Sequence, residues 1–402
     1  MGYLKIFNGN IITPQGLIKD GTVVIRDGII VEVGNGNPDI SGAEAIDASG
    51  KYISPGFIDM HVHGGGGFDF MDNTIEAFLG VAQTHAAYGT TALMPTTLSC
   101  EKQDLLNTLS IYEIANSKNT MGASFVGLHI EGPYFNVKQK GAQDERYIRN
   151  PDPAEYKELV ESAVFIKRWS AAPELKGALA FGSYLRSKNI LPAIAHTDAI
   201  YEEVVQAYEN GFTHATHFYS CMSGVSRRNA YRYAGVVESA YLIDEMTVEI
   251  IADGSHLPAP LLKLVYKIKG PGHTALITDA MRGASMPDGE SILGSMHDGM
   301  KVVIEDGVAK LPDRSSFAGS VATADQLVRN MINLAQIPLM DAVRMATRTP
   351  AEILGIGKQK GSIQLGADAD IVIFDHQINV EKTIIRGNLV YGKKRSHLLT
   401  HH

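Results

Sequence analysis

Eight apolar segments run through the middle of this chain, and six of them end in, or just before, a residue able to bind a metal or move a proton. These residues are His61 and His63, then Glu131, His196, His217, His256 and Asp279. The segments are read as strands at 53–61, 90–96, 124–131, 165–172, 190–196, 213–218, 247–253 and 273–279. Helix-like stretches lie between them at 74–87, 101–117, 153–161, 174–187, 199–210 and 257–268. Alternation of this kind argues for a parallel sheet, and eight strands argue for a closed (β/α)8 TIM-like barrel. Polar residues at the carboxyl ends of such strands mark the active-site face. The pattern therefore points to a metal-dependent hydrolase.

Both ends of the chain read differently. Thr22-Val23-Val24-Ile25 before Arg26-Asp27-Gly28, and Thr383-Ile384-Ile385 before Arg386-Gly387-Asn388, are short strands broken by turn signals. The expected architecture is a small β-sandwich formed by both ends, residues 1–54 and 350–396, around a barrel at 55–349. A hairpin is expected at 297–311, after the eighth strand.

Composition narrows the class of partner. A net charge of -8 gives no reason to expect nucleic acid or an anionic membrane, so an anionic substrate would need a local cluster of Arg or Lys. Two cysteines suggest no disulfide framework and fit a reducing cytoplasm. The opening residues lack a signal-peptide core, and no apolar run is of membrane length. His401 and His402 are read as a tag remnant and left out of the chemistry.

Individual residues then take roles. His61 and His63 are two apart in a strand, so both imidazoles can reach one ion. The glycines from Gly64 to Gly67 lack the following Gly-Lys-Ser/Thr of a phosphate loop, which argues against a nucleotide. Glu131 closes an apolar strand, where a carboxylate is expensive to bury without an ion or a cation. With His196 and His217 it supplies three ligands from separate strands and leaves room for water, as catalytic zinc sites require. Asp279 would stay ionised beside a divalent cation, accept a proton from the attacking water and pass it to a leaving amine. His256 is read as a substrate contact, Asp253 as the cap of the Gly254 turn, and His129 and His214 as structural.

At this point the sequence resembles the amidohydrolase superfamily, and within it the N-acetylglucosamine-6-phosphate deacetylase family. The resemblance rests on 55–64 (Pro-Gly-Phe-Ile-Asp-Met-His-Val-His-Gly), His129-Ile130-Glu131-Gly132-Pro133, Lys140-Gly141-Ala142-Gln143, Thr216-His217, Asp253-Gly254-Ser255-His256, Thr278-Asp279-Ala280 and the closing 366–372. It implies a usually dimeric enzyme that releases acetate from an N-acetylhexosamine 6-phosphate. Glu131, His196 and His217 would hold the main metal, and His61 and His63 match members that take a second. The donors suit zinc, with iron an alternative, at one or two ions per subunit. His256 would contact the sugar and Gln143 would lie near the acetamide carbonyl. The phosphate would be gripped by backbone groups after the sixth strand, here at Ser220 and Cys221, and by an arginine of the neighbouring subunit. By spacing that arginine is Arg228, with Arg227 beside it.

The phosphate loop departs from the family pattern. Where members carry Thr-His-x-Tyr/Phe-Asn-Ala-Met, this chain has Phe218-Tyr219-Ser220-Cys221-Met222 after Thr216-His217. The change leaves N-acetylgalactosamine 6-phosphate, or another N-acyl amine, open as the substrate. A silent binding protein on the same fold is the remote alternative, since such a protein would have no need for both Asp279 and every ligand.

Overall fold

The computed structural model describes residues 2–393. The end of the 350–396 range, and His401 and His402, lie outside the described residues. The central strands are β1 (Phe57–Val62), β2 (Thr90–Pro95), β3 (Leu128–Glu131), β4 (Ile166–Ala171), β5 (Leu191–Ile194), β6 (His214–Ala215), β7 (Thr247–Ile250) and β8 (Thr274–Leu276). Helices follow them in turn: α1 (Ile75–Ala86), α2 (Lys102–Lys118), α3 (Pro153–Ser162), α4 (Ala178–Ser187), α5 (Tyr201–Glu209), α6 (Val236–Leu242), α7 (Ala259–Lys269) and α8 (Ala324–Asn333). Every residue of β1 and β2 is buried, as expected of parallel strands covered on both faces. Asp152 starts α3 by accepting from Ala154 N–H at 2.9 Å, with Pro153 at the first helical position.

Strands β3 to β8 form one continuous parallel ladder, and β1 pairs with β2. The two groups are linked at both edges. Thr96 and His129 form a parallel bridge, and Asp279 N–H donates to the His61 carbonyl at 2.9 Å. The sheet is thus strongly curled, and the carboxyl ends of its strands converge. Asp59 of β1 also accepts from the Thr278 backbone N–H and hydroxyl, which ties the first strand to the segment after the last.

Both chain ends meet in one eight-stranded sheet, in which Ile371–Phe374 runs antiparallel to Tyr52–Pro55. Its apolar core draws Ile6, Ile11, Val23 and Ile25 from one end and Ile371, Ile373 and Ile384 from the other. The expected strand 53–61 is in fact two strands broken at Gly56, the first in this sheet and the second being β1. A side chain at Gly56 would sit 2.1 Å from the Thr91 hydroxyl, so the crossing point between the sheets requires glycine.

The hairpin expected after the eighth strand is present but larger. Gly289–Leu293, Met300–Glu305, Val308–Lys310 and Phe317–Ser320 form a four-stranded antiparallel sheet. It has its own core of Met281, Leu293, Val302, Ile304, Ala309 and Ala318. The loop before its last strand reaches over the converging strand ends. Among the described residues, no helix is long and apolar enough to cross a membrane.

Candidate active site

Glu131 is the last residue of β3, and His196, His217 and Asp279 follow β5, β6 and β8 within three residues. His61 lies in β1 and His63 just beyond it. All six are buried. Their ligand atoms fall into two groups, His61/His63/Asp279 and Glu131/His196/His217, each with its atoms within 4.8 Å of one another. Glu131 joins the groups: its Oε1 lies 3.5 Å from His61 Nε2, 3.5 Å from His196 Nε2 and 3.1 Å from His217 Nε2. Its Oε2 lies 3.4 Å from His63 Nε2. Asp279 Oδ1 is 3.1 Å from His63 Nε2 and 3.4 Å from His61 Nε2.

The other ring nitrogen of each imidazole is engaged elsewhere. His63 Nδ1 meets the Thr96 carbonyl at 3.2 Å, His196 Nδ1 the Gln139 carbonyl at 2.8 Å, and His217 Nδ1 the Ser220 carbonyl at 3.2 Å. His61 Nδ1 meets Glu249 Oε1 at 2.9 Å. Carbonyl and carboxylate oxygens only accept, so every Nδ1 donates and every Nε2 is free to turn a lone pair inward. Four such nitrogens and two carboxylates facing one small space repel one another unless protons or cations stand between them. A nitrogen and oxygen donor set of this kind fits one or two divalent metal ions.

Protons play that part in the metal-free protein. Burial alone would lower the His63 pKa, but its hydrogen bond with Asp279 and the charges of Glu131, Asp279 and Asp69 push it up to about 9. Burial pushes Glu131 up, yet the imidazoles of His61, His196, His217 and His63 hold it well below the usual carboxylate range. Asp279 behaves likewise: burial is outweighed by His61, His63 and His217, and its pKa is lowered.

His196, His217 and Asp279 have φ values of 45°, 28° and 48°. Non-glycine residues are uncommon in this left-handed region, and strain of this kind clusters at functional sites. Here the backbone leaves the strand direction abruptly and turns the three side chains into the centre.

A cavity of about 570 Å³ opens onto this cluster. Of the sequence candidates for substrate contacts, His256, Gln143, Ser220 and Cys221 line it. His256 is fixed by Asp253, which accepts from its Nδ1 at 2.7 Å and its backbone N–H at 2.8 Å, so Asp253 orients the imidazole as well as capping the turn. Gln143 donates to Glu131 Oε2 at 2.8 Å and accepts from Ser99 N–H at 2.9 Å. Arg227 and Arg228 do not reach the cavity of their own chain. They stand exposed on a hairpin of Ser226–Arg228 and Tyr231–Tyr233. The cations that line it are Lys310 and Arg314, from the sheet inserted after β8, and the sequence reading had not singled them out.

Arg168 and Glu249 were also missed. Arg168 Nη1 and Nη2 meet Glu249 Oε2 and Oε1 at 2.6 and 2.7 Å, with both side chains fully buried. The signal was present as charged residues inside the strand segments Ile166–Ala171 and Thr247–Ile250, but strand-end chemistry does not mark positions inside a strand. Losing one partner strands a buried charge, so Arg168→Met alone should destabilise the fold by about 3–5 kcal/mol. Urea unfolding would measure this, and a change under about 1 kcal/mol would show the pair to be dispensable.

Comparison with known proteins agrees with this geometry. The amidohydrolase family model matches residues 52–390. The N-acetylglucosamine-6-phosphate deacetylase of Bacillus subtilis is 32% identical over 392 residues, covering 96% of each chain. An N-acetylgalactosamine-6-phosphate deacetylase of Escherichia coli O157:H7 is 30% identical, covering 94% of this chain and 97% of its own. Among solved structures, a mutant N-acetyl-D-glucosamine-6-phosphate deacetylase from Mycobacterium smegmatis, in complex with N-acetyl-D-glucosamine-6-phosphate, superposes with a TM-score of 0.88 at 29% identity. That match covers 97% of this chain and 100% of the other. Sequence, fold and the clustered donors agree: the chain belongs to the amidohydrolase family, in its N-acetylglucosamine-6-phosphate deacetylase branch.

Proposed function

We propose that this protein hydrolyses the acetamide of N-acetylglucosamine 6-phosphate, giving glucosamine 6-phosphate and acetate. The observation that carries the reading is Asp279, with Oδ1 3.1 Å from His63 Nε2, at the floor of a cavity that also contains Glu131, His196 and His217. Glu131, His196 and His217 would hold the principal zinc ion, and His61 and His63 a second. A zinc ion held by these residues would supply Lewis-acid chemistry, polarising a carbonyl and lowering the pKa of water. Asp279 takes the proton from the attacking water and returns it to the departing amine, one carboxylate acting first as base and then as acid. His256, held by Asp253, contacts the sugar. Gln143, anchored to Glu131 and to Ser99 N–H, orients the acetamide.

The 6-phosphate calls for cations. Lys310 and Arg314 line the cavity within the chain. Arg227 and Arg228 stand exposed on their hairpin, and we take the working unit to be a homodimer in which Arg228 would serve the neighbouring subunit across the interface. Ser220 and Cys221 would offer backbone groups to the phosphate. We further infer that the curled sheet is a closed (β/α)8 barrel spanning 55–349. The terminal sheet folds over its own core as a small β-sandwich built from the described residues of the two ends, 2–54 and 350–393. The enzyme acts in the cytoplasm, in keeping with its free cysteines, Cys100 and Cys221.

Two charge-assisted contacts to phosphate should raise kcat/KM for the phosphorylated sugar about 100-fold or more over N-acetylglucosamine. Comparable turnover of the two sugars would refute phosphate recognition. The galactosamine epimer is the second reading, left open because Ser220-Cys221 stand where the family pattern has Asn-Ala. Turnover of the two epimers side by side decides between them, and the reading above requires the glucosamine compound to be the faster.

A further inference from the structure

We propose that Glu249, locked by Arg168, is a positioning residue that makes His61 a metal ligand and ties the two ligand groups together. The proposal rests on the metal reading above and goes beyond it to residues outside the ligand set. The Glu249 carboxylate receives five donors: Arg168 Nη1 at 2.6 Å and Nη2 at 2.7 Å, His61 Nδ1 at 2.9 Å, His214 Nε2 at 3.2 Å and the His217 backbone N–H at 3.2 Å. Arg168 in turn donates to the Met60 carbonyl at 3.1 Å and the Thr216 hydroxyl at 2.8 Å. One buried ion pair therefore holds the residue before His61, the ring of His61, the residue before His217 and the backbone of His217 itself. His61 belongs to one ligand group and His217 to the other.

His61 also differs from the other three ligand imidazoles. Theirs donate Nδ1–H to backbone carbonyls, whereas His61 donates to a carboxylate. An ionised acceptor fixes the Nδ1–H tautomer more firmly and makes Nε2 a stronger donor to a metal. Arg168 supplies what such a carboxylate needs to persist without water: a bidentate countercharge anchored at both nitrogens. A pair whose role was only to hold strands together would be replaceable by apolar residues of similar volume without loss, because the cost of desolvating it offsets its attraction. The contact with His61 Nδ1 is what an apolar replacement cannot supply.

The test compares two double variants that both remove the buried charges. Arg168→Met/Glu249→Gln keeps an amide oxygen able to accept from His61 Nδ1, and Arg168→Met/Glu249→Leu keeps none. Zinc alone is titrated into metal-free protein by equilibrium dialysis, with metal counted by mass spectrometry. The leucine variant should bind the weaker zinc ion about 10–100-fold less tightly than the glutamine variant, while both retain the tighter ion. Equal zinc affinities in the two variants would overturn the proposal. A wild-type protein that takes up one zinc ion only would overturn it together with the two-ion reading, a distinct result. Histidine-selective nitrogen NMR of metal-free wild type needs no variant to fold: a protonated His61 Nδ1 supports the proposal, and a deprotonated one refutes it.

Discussion

Asp279→Asn should lower kcat for acetate release by about 10²–10⁴-fold, the range a positioned acid–base group supplies. The asparagine keeps the size of the side chain and can still hydrogen-bond His63, so the cavity and its lining survive. What is lost is the ability to take a proton from water and return it to the amine. In the wild type, the lowered Asp279 pKa keeps the carboxylate ionised at neutral pH, as a base must be before it acts. The measurement is kcat together with zinc content, because Asp279 also sits beside His61 and His63. Loss of turnover with the Glu131/His196/His217 ion still bound assigns the defect to proton transfer. Turnover within tenfold of wild type would remove Asp279 from the mechanism.

Glu131→Ala should remove zinc and, with it, turnover. Four imidazole Nε2 atoms and the Gln143 amide face this one carboxylate, so its loss takes away both a ligand and the charge that balances a cation. The fall in zinc affinity should exceed the roughly 100-fold that loss of an outer partner brings. Zinc uptake itself has a pH signature. A protonated imidazole cannot ligate; burial would lower the His196 pKa, but contact with Cys221 and Glu131 raises it well above the ordinary value, and His63 is pushed up to about 9. Zinc binding near neutral pH should therefore release protons, and affinity should rise as pH rises. Calorimetry in buffers of different ionisation enthalpy measures this. Uptake without proton release would contradict the electrostatic account of the site.

Much of this was legible in the sequence because strand-end chemistry survives without coordinates. His61, His63, Glu131, His196, His217 and Asp279 were each marked by an apolar run ending in a ligand-type residue, and the structure brings all six together. The left-handed backbone of His196, His217 and Asp279 was not foreseeable, since nothing in Ala195-His196-Thr197 distinguishes a strand end from an abrupt turn. Arg168 and Glu249 escaped for the opposite reason. They lie inside β4 and β7, on strands that are not neighbours, and only the curl of the sheet brings them into contact. Gly56 hid a boundary because the apolar run continues across it from one sheet to another. Lys310 lies within the hairpin expected at 297–311 and Arg314 just beyond it, and neither was marked, because which loop covers the cavity is decided by packing.

The most direct measurement is acetate release from N-acetylglucosamine 6-phosphate by protein stripped of metal and then reloaded with measured amounts of zinc. The account predicts no release without metal, and turnover that rises with zinc and then saturates. Release that persists in the stripped protein, or stays absent in the fully loaded one, would contradict it.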